Sequence, residues 1–373
     1  MVPSAMTIDH DAVFDTVAGD RGHRITLELM DGLLRVIEEL GAASDLEVHA
    51  YFIENTKLQA FCFHRDGVGY VGISDGLLLV LGRVFSHALS CKEILREVGT
   101  SSVETGKPFG QPTMDFFDNV YQCSGNTVRP TDKTRSEFAT RMSHIAVQFV
   151  VYHELSHLLH GHAQLLHDSG IVLLDDAPGA IPDKIASPVS RLVLEMDADT
   201  AATRWAVDTL LDKAAAEFAS LSTDEIHRRI GNIAFEWAFA VGLMFHIFYG
   251  NGASLDDFVE TKSHPPAHLR QILTLNVAEQ ALRLWIKRAK IPRFDSAATV
   301  SGLMTKFKGG VIAAADAFAH LSDCSPALSK VIERAVSHAE RLQPFFNQEW
   351  RKLHPKLLPF AKVRLLVPTG SEN

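Results

Sequence analysis

The sequence is poor in cysteine, and its cysteines do not form a framework. There are four among 373 residues, Cys62, Cys91, Cys123 and Cys324, and no two form a CxxC pair. This pattern is typical of a reduced compartment and argues against a disulfide scaffold or a cysteine zinc knuckle. The first ten residues also lack the basic and apolar regions of a secretory signal. We therefore expect a cytoplasmic protein.

The sequence has no excess of positive charge. Lys and Arg number 36 against 45 Asp and Glu, which gives a formal net charge of −9 at pH 7. An acidic surface repels phosphate backbones, so we expect no nucleic-acid partner. Gly and Pro, 24 and 15 residues, are too few for a collagen-like or low-complexity chain. The hydrophobic share of 46% is enough for a large core.

Long apolar runs are scarce. One stretch, Ile233–Tyr249, is mostly apolar, but it contains Glu236 and His246. It is also shorter than the ~20 apolar residues with few or no charges that a spanning helix needs. A buried core helix is therefore expected here, and contact with a membrane is the alternative.

Helical and strand patterns divide the chain into three predicted parts. Short runs rich in β-branched and aromatic residues between 48 and 74 predict a small sheet, and apolar residues at helical spacing predict a helix over 23–41. The strongest helical pattern follows at 142–166. The predicted parts are 1–98 (N-terminal helix and β-sheet subdomain), 99–275 (central region with loop insertions at 99–137 and 168–188) and 276–373 (helical C-terminal extension).

The clearest chemical signal is the segment His153-Glu154-Leu155-Ser156-His157. On a helix, side chains at i and i+4 share a face, so both imidazoles can hold one metal ion. Zinc accepts imidazole and carboxylate ligands, and a catalytic site leaves one of four positions open for water. The metal lowers the pKa of that water to about 7, and a neighbouring carboxylate can take its proton. The segment therefore predicts metal-assisted hydrolysis with Glu154 as the general base.

A third ligand is available in Glu195-Met196-Asp197-Ala198-Asp199, on the next predicted helix. Glu195 could complete the ligand set, and Asp199, one turn further on, could accept the free ring N–H of either histidine. The alternative pattern HExxHxxGxxH does not fit, because its glycine and third histidine would fall on His160 and Ala163. A carboxylate third ligand is therefore favoured.

Three segments in order resemble the signatures of the gluzincin metallopeptidases. They are HELSHLLHGHAQ (153–164), EMDADTAA (195–202) and SHPPAHLR (263–270). The chain is most similar to the HtpX-type and CAAX-prenyl endopeptidase family, whose strand–turn–strand ahead of the active-site helix resembles 58–81. That family commonly carries clear transmembrane helices, so the resemblance is to a soluble variant. A more distant resemblance is to a soluble, phage-exclusion (Lit-like) peptidase group that acts on a cytosolic translation factor, although no motif of the chain singles that group out.

The resemblance implies a ligand set and a reaction. His153, His157 and Glu195 would bind one zinc ion per chain, Glu154 would be the general base, and Asp199 would support a ligand. The implied function is a zinc-dependent endopeptidase with a protein or peptide substrate.

Two residues of the third segment also acquire roles from the resemblance. His264 would stabilise the oxyanion of a tetrahedral intermediate. Arg270 would pair with Asp199 or with a substrate carboxylate. The expected fold is α+β: a mainly helical, zincin-like (gluzincin) body with a small mixed β-sheet and a helical C-terminal extension.

Two other interpretations of the same residues remain open. One is a catalytically silent, zinc-stabilised regulatory or interaction module, which needs a fourth protein ligand such as His160. A helix rises by about 10 Å over the seven residues from His153 to His160, so this ligand is disfavoured. The other is a membrane-associated peptidase that uses 233–249. His162 and His167 are expected on a polar face or in support of the ligands.

Overall fold

The described part of the protein is mainly helical. The computed structural model describes residues 45–53, 58–109, 128–168, 174–175, 188–249, 267–289, 297–322 and 328–365. These residues form eight α-helices and one small mixed sheet, which confirms the predicted α+β, mainly helical fold. The predicted helix at 23–41 lies outside the described residues.

The sheet has four strands in the order β1-β3-β2-β4. The strands are β1 (Glu47–Ile53), β2 (Ala60–Arg65), β3 (Val68–Ser74) and β4 (Leu174–Asp175). β1 runs parallel to β3, whereas β2 is antiparallel to both β3 and β4. Asp66 and Gly67 turn the chain between β2 and β3 with positive φ angles of 53° and 86°. Val71 and Ile73, which alternate along β3, and Cys62 on β2 are buried, so one face of the sheet belongs to the core.

The helices surround a central one that carries two of the three predicted metal ligands. They are α1 (Asp75–Ser90), α2 (Lys133–Leu159), α3 (His162–Asp168), α4 (Pro188–Ala215), α5 (Thr223–Tyr249), α6 (Ala267–Ala289), α7 (Ala297–Leu321) and α8 (Leu328–Leu357). Short 3₁₀ turns lie at Ser101–Val103 and Phe218–Ser220. Helix α2 contacts α1, α4, α5 and strand β2. It is therefore buried on several sides, which explains its apolar sequence.

Helix α2 differs from the predicted helix at both ends. It begins at Lys133, nine residues before the predicted start, because the Asp132 carboxylate accepts the Arg135 backbone N–H at 2.9 Å and caps the helix. It ends before Gly161, whose φ of +79° is left-handed. A Cβ at this glycine would lie 2.6 Å from Cβ of Phe360. The predicted single helix is thus broken into α2 and α3.

Helix α5 is the described helix that is long and apolar enough to cross a membrane. In its most apolar window, which lies within Thr223–Phe248, 78% of the residues are buried. It packs closely along α7, where Trp237 meets Phe307 edge to face. This packing is that of a core helix. Helix α7, in the predicted C-terminal extension, is therefore part of the main core.

His144, a partly buried residue of α2, makes folding stability depend on pH. Burial lowers its pKa from the ordinary 6.5 to about 4. A depressed histidine pKa means that its stabilising contribution is complete above pH 6.5 and is lost as the pH falls toward 4. We expect wild type to lose up to about 2 kcal/mol more than His144→Gln between pH 7 and pH 5. Denaturant unfolding of the two metal-free proteins at both pH values measures this difference, and equal losses would contradict it.

Candidate metal centre

Two packed helices bring the predicted metal ligands together. Helix α2 supplies His153 and His157, one turn apart, and helix α4 supplies Glu195. Nε2 of His153 lies 3.1 Å from Nε2 of His157 and 3.2 Å from Oε2 of Glu195. Nε2 of His157 lies 3.5 Å from Oε1 of Glu195. These three side chains form a group that could hold one metal ion.

The donor distances fit a single tetrahedral ion. Ligand atoms bound to zinc at about 2.0–2.1 Å in tetrahedral geometry lie about 3.3 Å from one another. The observed distances of 3.1–3.5 Å bracket this value. All three side chains are buried, with exposed fractions of 1–5%. Buried imidazoles and a buried carboxylate are costly unless a partner satisfies them, so the donor set fits a cation.

His153 is supported by a carboxylate that is itself held by an arginine. Its Nδ1 lies 2.9 Å from Oδ1 of Asp199. Arg270 donates from Nε and Nη2 to the two oxygens of Asp199, at 2.7 and 2.5 Å, and its guanidinium lies over the Phe245 ring. Burial by itself would raise the pKa of Asp199, but Arg270 and His153 outweigh it and lower the pKa. Asp199 therefore stays ionised beside His153.

His157 has a different set of neighbours. Its Nδ1 lies 3.0 Å from Nδ1 of His162, at the start of α3. Nε2 of His162 lies 3.2 Å from Oδ2 of Asp197, and Nδ1 of His160 makes a very short contact with the same oxygen. Burial lowers the pKa of His162, although Asp197 opposes this shift. Burial would raise the pKa of Asp197, but the two histidines hold it well below the usual range.

Glu154 lies between the two imidazoles along α2. It is 1% exposed, as deeply buried as its neighbours. On a helix it is about 100° from His153 and about 60° from His157 around the axis, which places it beside the ligand face. A buried glutamate beside the ligand face is therefore placed to exchange protons with a group bound there.

The other predicted residues are placed as follows. His264 lies outside the described residues. Arg270 is 3% exposed and donates from two of its nitrogens to Asp199, so it supports that carboxylate. His160 is not in the group formed by the three ligands; it pairs with Asp197. Within the described residues the converging group thus has three members. His167 is exposed, whereas His162 is fully buried.

Sequence reasoning missed the role of Asp197. Glu195 and Asp199 are one turn apart and share a face of α4, which is why the sequence pattern indicates these two residues. Asp197 lies between them in the sequence but does not share that face. A signal was present in the chain, because three acidic residues occur within five positions on a helix whose neighbours are buried. Asp197 is 8% exposed. A buried carboxylate requires a partner, which here is the pair His160 and His162.

Comparison with known proteins adds one finding. Residues 111–280 match the family model described as Peptidase U49, a Lit-like peptidase family. No curated protein and no solved structure matches the chain significantly. The match spans less than half of the chain and includes all the residues of the metal centre. It does not support the HtpX-type assignment, which stays a prediction from motifs. The chain is thus similar to Peptidase U49 over its metal-ligand region, and this similarity supports a peptidase.

Proposed function

We propose that the protein is a zinc-dependent endopeptidase. The observation that carries this proposal is the convergence of His153, His157 and Glu195 at tetrahedral distances, with Glu154 buried beside them. Two imidazoles and a carboxylate are a donor set that suits zinc. The similarity to Peptidase U49 supports peptide-bond hydrolysis over other metal-dependent reactions. The proposed substrate is a protein or peptide, and the proposed compartment is the cytoplasm.

The proposed roles follow from the chemistry of each side chain. His153, His157 and Glu195 would hold the ion. When bound, zinc lowers the pKa of a water molecule to about 7 and polarises the carbonyl of the substrate. Glu154 accepts a proton from the attacking water and donates it to the leaving nitrogen.

Asp199 and Arg270 act on the ligand His153. The Asp199 carboxylate, 2.9 Å from Nδ1 of His153, favours the tautomer that carries its proton on Nδ1, so that the lone pair of Nε2 is directed toward Glu195 and His157. Arg270 fixes both oxygens of Asp199 and balances its charge in a buried position. His153, Asp199 and Arg270 come from α2, α4 and α6, so their contacts link three helices at the metal centre.

Removal of metal tests the proposal. Wild-type protein is expected to contain about one zinc ion per chain and to cleave an unfolded polypeptide. Dialysis against a chelator should abolish cleavage, and one equivalent of Zn²⁺ should restore it. Mg²⁺ should not, because it prefers octahedral oxygen ligands. Full cleavage by protein shown to be metal-free would refute a metallopeptidase.

A further inference from the structure

The two imidazoles of the metal centre are supported in different ways. Nδ1 of His153 faces a carboxylate, whereas Nδ1 of His157 faces the imidazole of His162 at 3.0 Å. We propose that His162 is a positioning residue for His157, kept in one tautomer by Asp197 and His160, and that these three supporting residues do not form a second metal site. This inference rests on the proposed function, because it requires an ion at the three ligands.

The tautomers follow from the contacts. Nε2 of His157 is directed at His153 and Glu195, so a neutral ring that offers its lone pair there carries its proton on Nδ1. That proton can be donated to Nδ1 of His162 only if this nitrogen is unprotonated. The proton of His162 is then on Nε2, which lies 3.2 Å from Oδ2 of Asp197. Nδ1 of His162 is thus an acceptor and Nε2 carries the proton, and the Asp197 carboxylate favours this tautomer.

Asp197 is fixed from the opposite side by His160. Nδ1 of His160 donates to Oδ2 of Asp197, the oxygen that lies 3.2 Å from Nε2 of His162. The exposed fractions are 0% for His162, 6% for His160 and 8% for Asp197. A hydrogen-bond network buried to this degree keeps one arrangement, because little water is present to compete for its donors and acceptors.

The break between α2 and α3 makes the contact between His157 and His162 possible. On a continuous helix, five residues correspond to about 140° of rotation, so the two side chains would point to different sides. The left-handed turn at Gly161 follows the end of α2, and His162 begins the separate helix α3. The C-terminal segment packs on this turn, where the Lys362 backbone N–H donates to the carbonyl of Leu159 at 2.7 Å.

The distances favour hydrogen bonds over a second ion. His160, His162 and Asp197 are a set of residue types that could hold a metal. Atoms that share one tetrahedral zinc lie about 3.3 Å apart, as in the first group. Nδ1 of His160 instead lies at hydrogen-bonding distance from Oδ2 of Asp197. In addition, Nδ1 of His162 is occupied by His157.

Zinc affinity tests the proposed positioning role. We expect His162→Phe to bind zinc about 10- to 100-fold more weakly than wild type in competition with a chromophoric chelator. The visible spectrum of the Co²⁺ form should also change, because His157 would be free to rotate. His162→Gln should bind within a few-fold of wild type, since its amide oxygen can accept from His157 and its amide N–H can donate to Asp197. His167→Phe, an exposed change on the same short helix, is the matched control.

A second measurement needs no variant. Long-range ¹H–¹⁵N correlations of the zinc-loaded wild type should show His157 protonated on Nδ1 and His162 protonated on Nε2. The opposite tautomer of His162, or a His162→Phe protein with wild-type affinity and spectrum, would overturn the proposal. So would two zinc ions per chain, the second lost in Asp197→Asn. Wild type that binds no zinc would overturn the proposed function itself, together with this inference.

Discussion

Replacement of Arg135 by methionine is expected to remove a large part of the folding free energy of this chain. The Arg135 side chain is fully buried at the start of α2. Its five N–H groups donate at 2.7–3.1 Å to backbone carbonyls of the last turn of α1 and of the segment that follows it. The acceptors are the carbonyls of Leu89, Cys91, Ile94, Leu95 and Val98. The guanidinium therefore satisfies five backbone carbonyls at once and holds this segment in its folded conformation.

The size of the effect follows from what the substitution leaves behind. Each buried carbonyl without a donor costs roughly 1–3 kcal/mol. The Glu104 carboxylate, 3.8 Å from Nε of Arg135 and equally buried, would lose its cation. We expect a loss of about 4 kcal/mol or more, against a typical total of about 5–15 kcal/mol.

Arg141 provides a matched control on the same helix. Its guanidinium contacts Glu236 at 2.9 and 3.1 Å, but its side chain is half exposed. Arg141→Met should therefore cost no more than about 1 kcal/mol. Urea unfolding of both variants measures the difference. If Arg135→Met is too unstable to fold, it should be recovered only as insoluble protein, whereas Arg141→Met should be soluble. That outcome would also agree with the prediction. An Arg135→Met protein within 1 kcal/mol of wild type would refute this account of the segment.

The second large effect concerns Glu154. We expect Glu154→Gln to retain about one zinc ion per chain and to lose peptide hydrolysis by about 10²- to 10⁴-fold. Glutamine keeps the shape of the side chain but cannot accept a proton from water. Cleavage of an unfolded polypeptide at equal metal content measures the loss, and an unchanged rate would remove Glu154 as the general base.

Glu195→Ala is the matched comparison, since it changes a glutamate of the other helix that contacts the same imidazoles. It should weaken zinc retention by about an order of magnitude or more, because one of three protein ligands is removed. The two variants thus separate a metal defect from a proton-transfer defect. A silent regulatory module would bind zinc in wild type and show no hydrolysis to lose. That result would favour the alternative that the sequence leaves open.

The metal ligands could be predicted because their spacing along a helix is enough to place them on one face. A helix places His153 and His157 on one face whatever surrounds it, and Glu195 lies in a segment with helical spacing of its own. The supporting histidines could not be predicted in the same way. His162 reaches His157 only because the helix breaks at Gly161, and this break depends on packing against Phe360, about 200 residues away in the chain.

The secondary structure also includes elements that follow from the local sequence and elements that depend on distant contacts. Strand β3 and helix α1 follow from apolar patterns and from the Ser74 cap, whose hydroxyl accepts the Leu77 N–H at 3.1 Å. The early start of α2 could not be inferred from apolar spacing, because the segment from Lys133 to Glu137 is polar. Its helical state depends on the Asp132 cap and on Arg135, whose partners lie about 40 residues earlier.

X-ray absorption at the zinc edge tests the central claim most directly. For protein loaded with one zinc ion, we predict four nitrogen and oxygen neighbours at about 2.0–2.1 Å, with the scattering pattern of two imidazoles. Glu154→Gln should give the same spectrum, and Glu195→Ala should not. A sulfur neighbour at about 2.3 Å, or three imidazoles around the ion, would contradict a centre made of His153, His157 and Glu195.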